Sequence, residues 1–308
     1  MNRGEFICGL ASGLLVPSAF SASDPSGVGE FHTFSKAFQF LKDPYKAADV
    51  IRRCGYDGVE WTVRPGGFVE PGNAVQGLRI VRDAALKAGL KAENIVVSFS
   101  RGDDPGADEL VRAAADVGFR SFRGELLLYD RKKSHRENLD GFCRAFDSLD
   151  ALARKTGLKA CYQNHATWDK SIPLFGSLVW DLLAVVKDHD PKYIGIQYDP
   201  KHIRAEGGHS WDHTLGAVAP WIDMVCLKNF YFIPDPKDPK CWRGKSVPAD
   251  EGIVDFAEVG RLMDLEGVRR RFTVHYDYAH WKTESEALKF ASADLSCYKT
   301  QLKGKGMV

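Results

Sequence analysis

The chain has 308 residues, of which 44% are hydrophobic and 27% are charged, and this composition is typical of a globular protein with a large core. Its formal net charge of +1 excludes a global electrostatic attraction to nucleic acid or to an anionic membrane surface. The seven cysteines show no CxxC pair and no framework spacing, which indicates buried thiols and leaves the question of disulfides open.

Residues 1–23, the first predicted element, have the layout of an export signal. Arg3 precedes a mostly apolar run over residues 6–16, and small residues follow near the expected cleavage site. The run is too short and too rich in glycine for a stable membrane span. The opening resembles a Tat signal in which Gly4 replaces the second arginine, so both Tat and Sec routes stay open. We expect an exported protein, periplasmic or extracellular, with residues 24–308 as its mature domain. The alternative is an irregular N-terminal helix of a cytosolic protein.

After residue 23, short apolar runs alternate with helical patterns, and no linker or break in composition divides them. Eight runs are predicted as strands: Phe31–Phe34, Gly58–Val63, Asn94–Phe99, Ser121–Leu127, Lys159–Gln163, Tyr193–Tyr198, Met224–Lys228 and Phe272–Tyr276. Helical patterns cover residues 43–54, 74–89, 107–118, 136–155, 174–186, 255–267 and 284–302. The proline-rich stretch 234–248 is predicted to be a long loop.

Eight alternating β/α units predict a single-domain α/β fold, the (β/α)8 TIM barrel. The alternative, a doubly wound open sheet, would need a glycine-rich phosphate-binding turn after an early strand. The early pair Gly66-Gly67 follows Arg64-Pro65 and lacks that pattern. We therefore expect the barrel.

Catalytic side chains of such a barrel lie at the C-terminal ends of the strands and in the loops that follow. Polar residues are dense at these predicted ends: Glu60, Arg64, Arg123, Glu125, Gln163, His165, Asp199, His202, Lys228, His275 and Asp277. The richest run places Asp199 at a strand end with His202 three residues later. The two can share a divalent cation or form an ion pair, or Asp199 can simply cap the next helix.

Several segments resemble parts of the xylose isomerase-like TIM barrels, which include sugar isomerases and epimerases. These are GYDGVEWTV, YDPKHI, VCLKN and VPADEGIVDF, and the resemblance runs from about residue 30 to residue 280. The set TVRPGGFVEP, YQNH, IQYDPKH, AEGGHSW and HYDY resembles an exported, Tat-associated subgroup. The resemblance implies a carbohydrate-active isomerase or epimerase with a small sugar substrate and one divalent metal at the C-terminal face of the barrel.

The resemblance also implies where the metal ligands lie. Family members use a glutamate, an aspartate, a histidine and a glutamate on strands five to eight, and the matching positions here read Gln163, Asp199, Cys226 and His275. This set is less negative than the family's, so we expect Zn²⁺ or Mn²⁺ rather than Mg²⁺, which prefers carboxylate and water oxygens. Cys226 is equally well placed to be a core residue, and the presence of the metal stays open.

The same departures exclude a proton shuttle between two glutamates, because an amide accepts no proton in a useful pH range. The candidate catalytic residues are His275, Asp277 and Glu125 as bases and Lys228 as a donor to an oxyanion or enediolate. The side chains expected to contact the substrate are Arg64, Glu60, His165, His202, Glu206 and Trp168.

Three functions are therefore compatible with the sequence. The first is a sugar isomerase or epimerase, the second is a lyase or hydratase acting on a keto-sugar, and the third is a non-catalytic sugar-binding barrel that has lost its metal. We expect no nucleic-acid partner, because the DNA-repair endonucleases of this family need more histidine and glutamate ligands and a basic face. A homo-oligomer stays open.

Overall fold

The computed structural model describes residues 28–167 and 172–303, and its central feature is a closed barrel of parallel strands. The barrel strands are β1 (Glu30–Phe34), β2 (Gly58–Val63), β3 (Lys91–Val97), β4 (Ser121–Arg123), β5 (Lys159–Gln163), β6 (Ile194–Tyr198), β7 (Ile222–Leu227) and β10 (Arg271–Val274). They hydrogen-bond in the order β1-β10-β7-β6-β5-β4-β3-β2. The predicted (β/α)8 barrel is confirmed.

The helices of the described residues pack outside the barrel. They are α1 (Pro44–Arg53), α2 (Ala74–Lys87), α3 (Ala107–Val117), α4 (His135–Thr156), α5 (Val179–Val186), α6 (Pro200–Gly207), α7 (His213–Val218), α8 (Phe256–Leu265) and α9 (Glu284–Leu302). Local sequence explains several starts, since Ser134 and Thr283 each form a capping box with the glutamate three residues later. None of the helices within the described ranges has both the length and the apolar content needed to cross a bilayer.

Several predictions about the elements were wrong or incomplete. The helix predicted over residues 174–186 begins only at Val179, because Phe175 N donates to Leu127 O at 2.9 Å and Gly176 has a positive φ of 77°. The stretch 234–248 is not a loop. It belongs to a two-stranded antiparallel hairpin of β8 (Asn229–Asp235) and β9 (Asp238–Val247), where a proline is tolerated because an edge strand can lack an N–H donor. Helices α6 and α7 were not predicted.

The N-terminal end of the barrel is closed by charged side chains that pair with one another. We call this group the lower ion-pair network: Glu30, Glu93, Lys159, Asp223 and Arg271. The three guanidinium nitrogens of Arg271 lie 3.5 Å from Glu30, 2.8 Å from Glu93 and 3.2 Å from Asp223. Lys159 adds a second contact to Asp223 at 3.1 Å. The polar residues at the opposite, C-terminal end are arranged differently.

Candidate active site

Asp199 lies at the centre of the C-terminal end, directly after β6, and its side chain is fully buried. Its Oδ2 accepts from Gln163 Nε2 at 2.7 Å and lies 3.0 Å from Lys228 Nζ. Its backbone N–H and C=O are both bonded by the side chain of Asn164, at 2.7 and 3.1 Å. Its Oδ1 accepts from the His202 N–H at 3.4 Å as the cap of α6. Sequence reasoning did not assign Asn164 a role, although it follows Gln163 directly.

Two lysines share one carboxylate beside Asp199. Asp277 Oδ2 lies 3.1 Å from Lys228 Nζ and 3.0 Å from Lys201 Nζ, and Lys201 also donates to Ser246 Oγ of β9 at 2.7 Å. We call these residues the lysine–aspartate cluster: Asp199, Lys201, Lys228 and Asp277. Lys201 was missed at the sequence level, where the DPKH segment was interpreted only through its Asp and His.

Mutual charge sets the protonation of the lysine–aspartate cluster. Burial would lower the pKa of Lys228, but the carboxylates of Asp199 and Asp277 raise it above its ordinary value. Burial and the charge of Lys228 lower the pKa of Lys201. Burial would raise the pKa of Asp277, but Lys228 and Lys201 hold it well below its usual range. Asp277 is therefore an ionised carboxylate and Lys228 an ammonium at neutral pH.

A cleft of about 270 Å³ opens beside this cluster, and Asp277 stands in its wall. The side chain of Asp277 is 38% exposed, whereas Asp199 has no exposed surface. The lining includes the aromatic side chains of Phe34, Phe40 and Trp281. An ionised carboxylate next to aromatic faces suits a sugar, whose C–H faces pack on rings while its hydroxyl groups bond to polar atoms.

Glu60 was predicted to contact the substrate and His275 to act as a base, but both side chains are buried inside the barrel. Glu60 is fully buried, and its carboxylate accepts from the side chains of Gln197 and Thr273. His275 Nε2 is 3.6 Å from Glu60 Oε2 and has no hydrogen-bond partner within the described residues. Burial would raise the pKa of Glu60, but His275 and Arg123 lower it to about 2. Burial also lowers the pKa of His275.

His165 and His202, both predicted to contact the substrate, lie against each other with ring centroids 3.7 Å apart and ring planes tilted by 34°. Burial lowers the pKa of His165 to about 4 and that of His202 well below its ordinary value. His202 Nε2 lies 3.5 Å from Asp199 Oδ2, so the pair adjoins the lysine–aspartate cluster. Glu206 Oε1 accepts from Thr167 N at 3.1 Å on the neighbouring loop. Trp168, the other predicted contact here, lies outside the described residues.

Two arginines approach the same aromatic ring at the end of β1. The guanidinium carbon of Arg64 lies 5.3 Å, and that of Arg123 5.0 Å, from the centroid of Phe34. Arg123 Nη1 donates to Gln163 Oε1 at 2.6 Å. Glu125, predicted as a catalytic base, is exposed and accepts from the adjacent Leu126 N–H at 3.0 Å. The structure therefore places Glu125 at the rim and Arg123 inside the site.

The four expected metal ligands do not fit a divalent cation in this structure. The amide of Gln163 already accepts from Arg123 and donates to Asp199, and the ammonium of Lys228 neutralises the same carboxylate. Burial raises the pKa of Cys226 well above its usual value. Across residues 28–167 and 172–303, no three His, Cys, Asp or Glu side chains are grouped so that they could hold a metal.

Comparisons with known proteins agree with this fold. A family model described as xylose isomerase-like TIM barrel matches residues 48–293. The chain is similar to the 3-keto-D-glucoside 4-epimerase of E. coli in its apo form, with a TM-score of 0.65 and 15% identity over 88% of this chain and 99% of that one. A D-psicose 3-epimerase, determined in the presence of D-fructose, has a TM-score of 0.65 and 11% identity over 89% and 100%.

A third similar structure is the probable 3-DHS dehydratase of Bacillus anthracis, involved in petrobactin synthesis. Its TM-score is 0.61, with 14% identity over 90% of this chain and 100% of that chain. At such identities the likeness establishes the fold and not the reaction. No protein of curated function matches the chain in sequence.

Proposed function

Because the chain belongs to the xylose isomerase-like TIM barrel family, we propose that it is a carbohydrate-active enzyme of the isomerase or epimerase type. Such an enzyme moves a proton at a carbon next to a sugar carbonyl. The observation that carries the proposal is the carboxylate of Asp277, which stands in the cleft wall with Lys201 and Lys228 on its Oδ2. The activities named for two similar structures, both sugar epimerases, support the same class.

Asp277 is the proton acceptor in this proposal. Removal of a proton next to a carbonyl places negative charge on the carbonyl oxygen, and the ammonium groups of Lys201 and Lys228 are the donors that stabilise this charge. A carboxylate that holds two ammonium groups is a weak base. It becomes stronger as the substrate oxygen shares those N–H donors, because each shared donor then stabilises the carboxylate less.

The lysines take the electrophilic role that the family resemblance assigned to a divalent metal. The donor set supports this assignment, since Gln163 and Lys228 direct N–H groups at Asp199 Oδ2 and leave it little capacity to bind a cation. One cleft-facing base suits proton transfer between neighbouring carbons on one face of an enediolate. Inversion at a single carbon would require a second group on the opposite face.

A lyase or dehydratase acting on a keto-sugar is the second candidate. It is favoured because Gln163 stands at a position where the family has a glutamate. Elimination needs one base and one acid, so the loss of a second glutamate does not prevent it. Asp277 would remove the proton, and Lys201, whose pKa is lowered, would protonate the leaving group. The name of the probable dehydratase among the similar structures supports this class.

The test is proton exchange followed by NMR in D2O. Free aldoses, ketoses and 3-keto-glycosides are incubated with the full-length protein, and deuterium is measured at the carbon next to the carbonyl. We expect exchange with the wild type and a loss of about 10²–10⁴-fold in Asp277→Asn. Asp250→Asn, a change of an exposed carboxylate after β9, is the matched control and should exchange normally. Undiminished exchange in Asp277→Asn contradicts the assignment, and an unsaturated product identifies the lyase.

We also propose that the protein is exported and belongs to the Tat-associated subgroup of its family. The charged start, apolar centre and small residues of segment 1–23 support this proposal, although the segment lies outside the described residues. Cell fractionation with N-terminal sequencing tests it. We expect a processed chain in the exported fraction, and an unprocessed cytosolic chain would contradict export.

A further inference from the structure

We infer that the substrate is a sugar acid, whose carboxylate binds Arg64 and Arg123 beside Phe34. This inference rests on the proposed function, because it names the substrate class of the same site. Both guanidinium carbons lie within 5.3 Å of the centroid of Phe34, and Phe34 lines the cleft together with Asp277. A ligand that lies in the cleft against Phe34 is therefore close to Asp277, and the two arginines contact the same aromatic ring.

The positive charge of Arg64 has no carboxylate partner at contact distance among the described residues. Within the described residues, its guanidinium forms no hydrogen bond and no ion pair, and its contact is the face of Phe34. The nearby Glu125 does not neutralise it at contact distance, because Glu125 accepts from the Leu126 N–H and forms no ion pair there. Arg64 is half-buried, so part of its hydration has been lost without a protein partner to replace it.

Arg123 also lacks a carboxylate partner within the described ranges, and it is more deeply buried than Arg64. It is 7% exposed, its Nη1 donates to the neutral amide of Gln163, and its Nε is buried with no partner in the described part of the chain. A buried guanidinium normally has its N–H donors satisfied, because an unpaired buried donor has lost its hydration without a replacement. The unpaired charge lies against Phe34, which also lines the cleft, so a ligand that reaches this ring approaches both arginines.

A charge count favours a carboxylate over a phosphate. Glu125 lies near Arg64 and Glu60 lies near Arg123, and each carboxylate offsets part of the neighbouring guanidinium charge without an ion pair. The two arginines therefore offer a ligand less than two full positive charges. A carboxylate carries one negative charge and pairs with two planar guanidinium groups, whereas a phosphate carries about 1.5 to 2.

The experiment compares matched acidic and neutral sugars by isothermal titration of the full-length protein. The pairs are D-glucuronate with D-glucose and D-galacturonate with D-galactose, and D-glucose 6-phosphate is the phosphate probe. We expect at least one uronate to bind about tenfold or more tightly than its neutral partner and than the phosphate. Arg64→Met should remove this preference without weakening the neutral sugar, and Arg64→Lys should keep part of it. Arg79→Met, at an exposed arginine of α2, is the control and should keep the full preference.

Several outcomes would overturn the inference. One is neutral sugars that bind as tightly as their acids, another is tighter binding of the phosphate, and a third is a uronate preference that survives in Arg64→Met. If neutral sugars undergo exchange at the carbon next to the carbonyl as fast as the matched sugar acids, the proposed function stands while the acid specificity fails. If no sugar binds and none exchanges, both fail.

Discussion

The two ends of the barrel use buried cations in opposite ways. At the lower end, each of the three guanidinium nitrogens of Arg271 faces a carboxylate at 3.5 Å or less. At the upper end, Arg123 faces a neutral amide, and Arg64 faces only an aromatic ring among the described residues. The charge of Arg271 is matched by carboxylates at contact distance, although its Nε has no hydrogen-bond partner among the described residues, whereas neither upper arginine has a carboxylate at contact distance there. The contrast teaches that burial of charge alone does not mark a site, but a buried cation without a carboxylate partner near a cleft is a candidate for one.

The largest effect on stability is expected at the lower end. Arg271→Met would leave three carboxylates without their shared cation, so the free energy of unfolding should fall by about 3–5 kcal/mol. Sugar exchange per folded molecule should not change, because the network is at the far end of the barrel. Chemical denaturation and the D2O assay measure the two quantities. Arg120→Met removes a 76% exposed partner of Glu93 and should change stability little. Equal losses in both variants would refute the distinction.

Lys228→Met should show the reverse pattern at the upper end. The exchange rate should fall by about 10²–10³-fold, because a donor to the developing oxyanion is lost. Stability should fall less than in Arg271→Met, since the carboxylate of Asp199 keeps its bonds from Gln163 Nε2 and the His202 N–H. Lys245→Met, at an exposed lysine of β9, should retain wild-type exchange. A Lys228→Met enzyme that exchanges at the wild-type rate would remove the lysine from the mechanism.

A smaller effect is expected in the pH dependence of stability. Burial would raise the pKa of Asp223, but Arg271 and Lys159 lower it, and the pKa of Glu30 is lowered by its cationic neighbours despite its burial. A carboxylate with a lowered pKa binds fewer protons in the folded state than in the unfolded state. Its stabilisation is therefore complete above the ordinary value of 4.5 for a glutamate and is lost as the pH falls below it.

Denaturant titrations at stepped pH should show this loss in the wild-type protein below about pH 4.5. In Arg271→Met the decline should be shallower, because Asp223 loses the main cause of its lowered pKa and Glu30 loses one of several. Parallel curves for the two proteins would show that Arg271 does not set these pKa values.

The smallest expected effect is that of metal removal. Dialysis against a chelator, and later addition of Mn²⁺ or Zn²⁺, should change neither the exchange rate nor the melting temperature, because Lys228 and Gln163 occupy the donor positions around Asp199. Metal analysis and thermal denaturation check both. A saturable rise in melting temperature at one metal per chain would contradict this prediction and show that the site binds a metal, as expected from the family resemblance.

Local patterns predicted much of the barrel. Gly58–Val63 and Lys159–Gln163 have the predicted bounds, because short, almost wholly buried runs next to helix-ending glycines are distinctive in sequence. The fourth strand was predicted as far as Leu127 but ends at Arg123, since Glu125 N donates to Phe99 O in a loop. The hairpin was missed because its prolines have the same local pattern as a loop.

The sequence predicted which residues lie in the candidate site but not which residues they contact. The strand-end rule located Asp199, Lys228 and Asp277, which the structure brings together. It gave no indication that Lys201 would reach Asp277, 76 residues away, or that Arg123 would bond to Gln163, 40 residues away. Such pairs depend on closure of the barrel, which local periodicity does not encode. The export signal and the role of Trp168 stay predictions.

The β8–β9 hairpin begins at the residue after Lys228 and returns Ser246 to Lys201 at 2.7 Å. A reactive lysine is thus held in part by a structure outside the closed sheet, whose length and sequence can change without breaking any pairing of the eight barrel strands. For natural variation and for laboratory evolution alike, the hairpin is a replaceable module. Exchange of this module between relatives can alter the acidity of a lysine and the shape of the cleft while the inherited barrel stays constant.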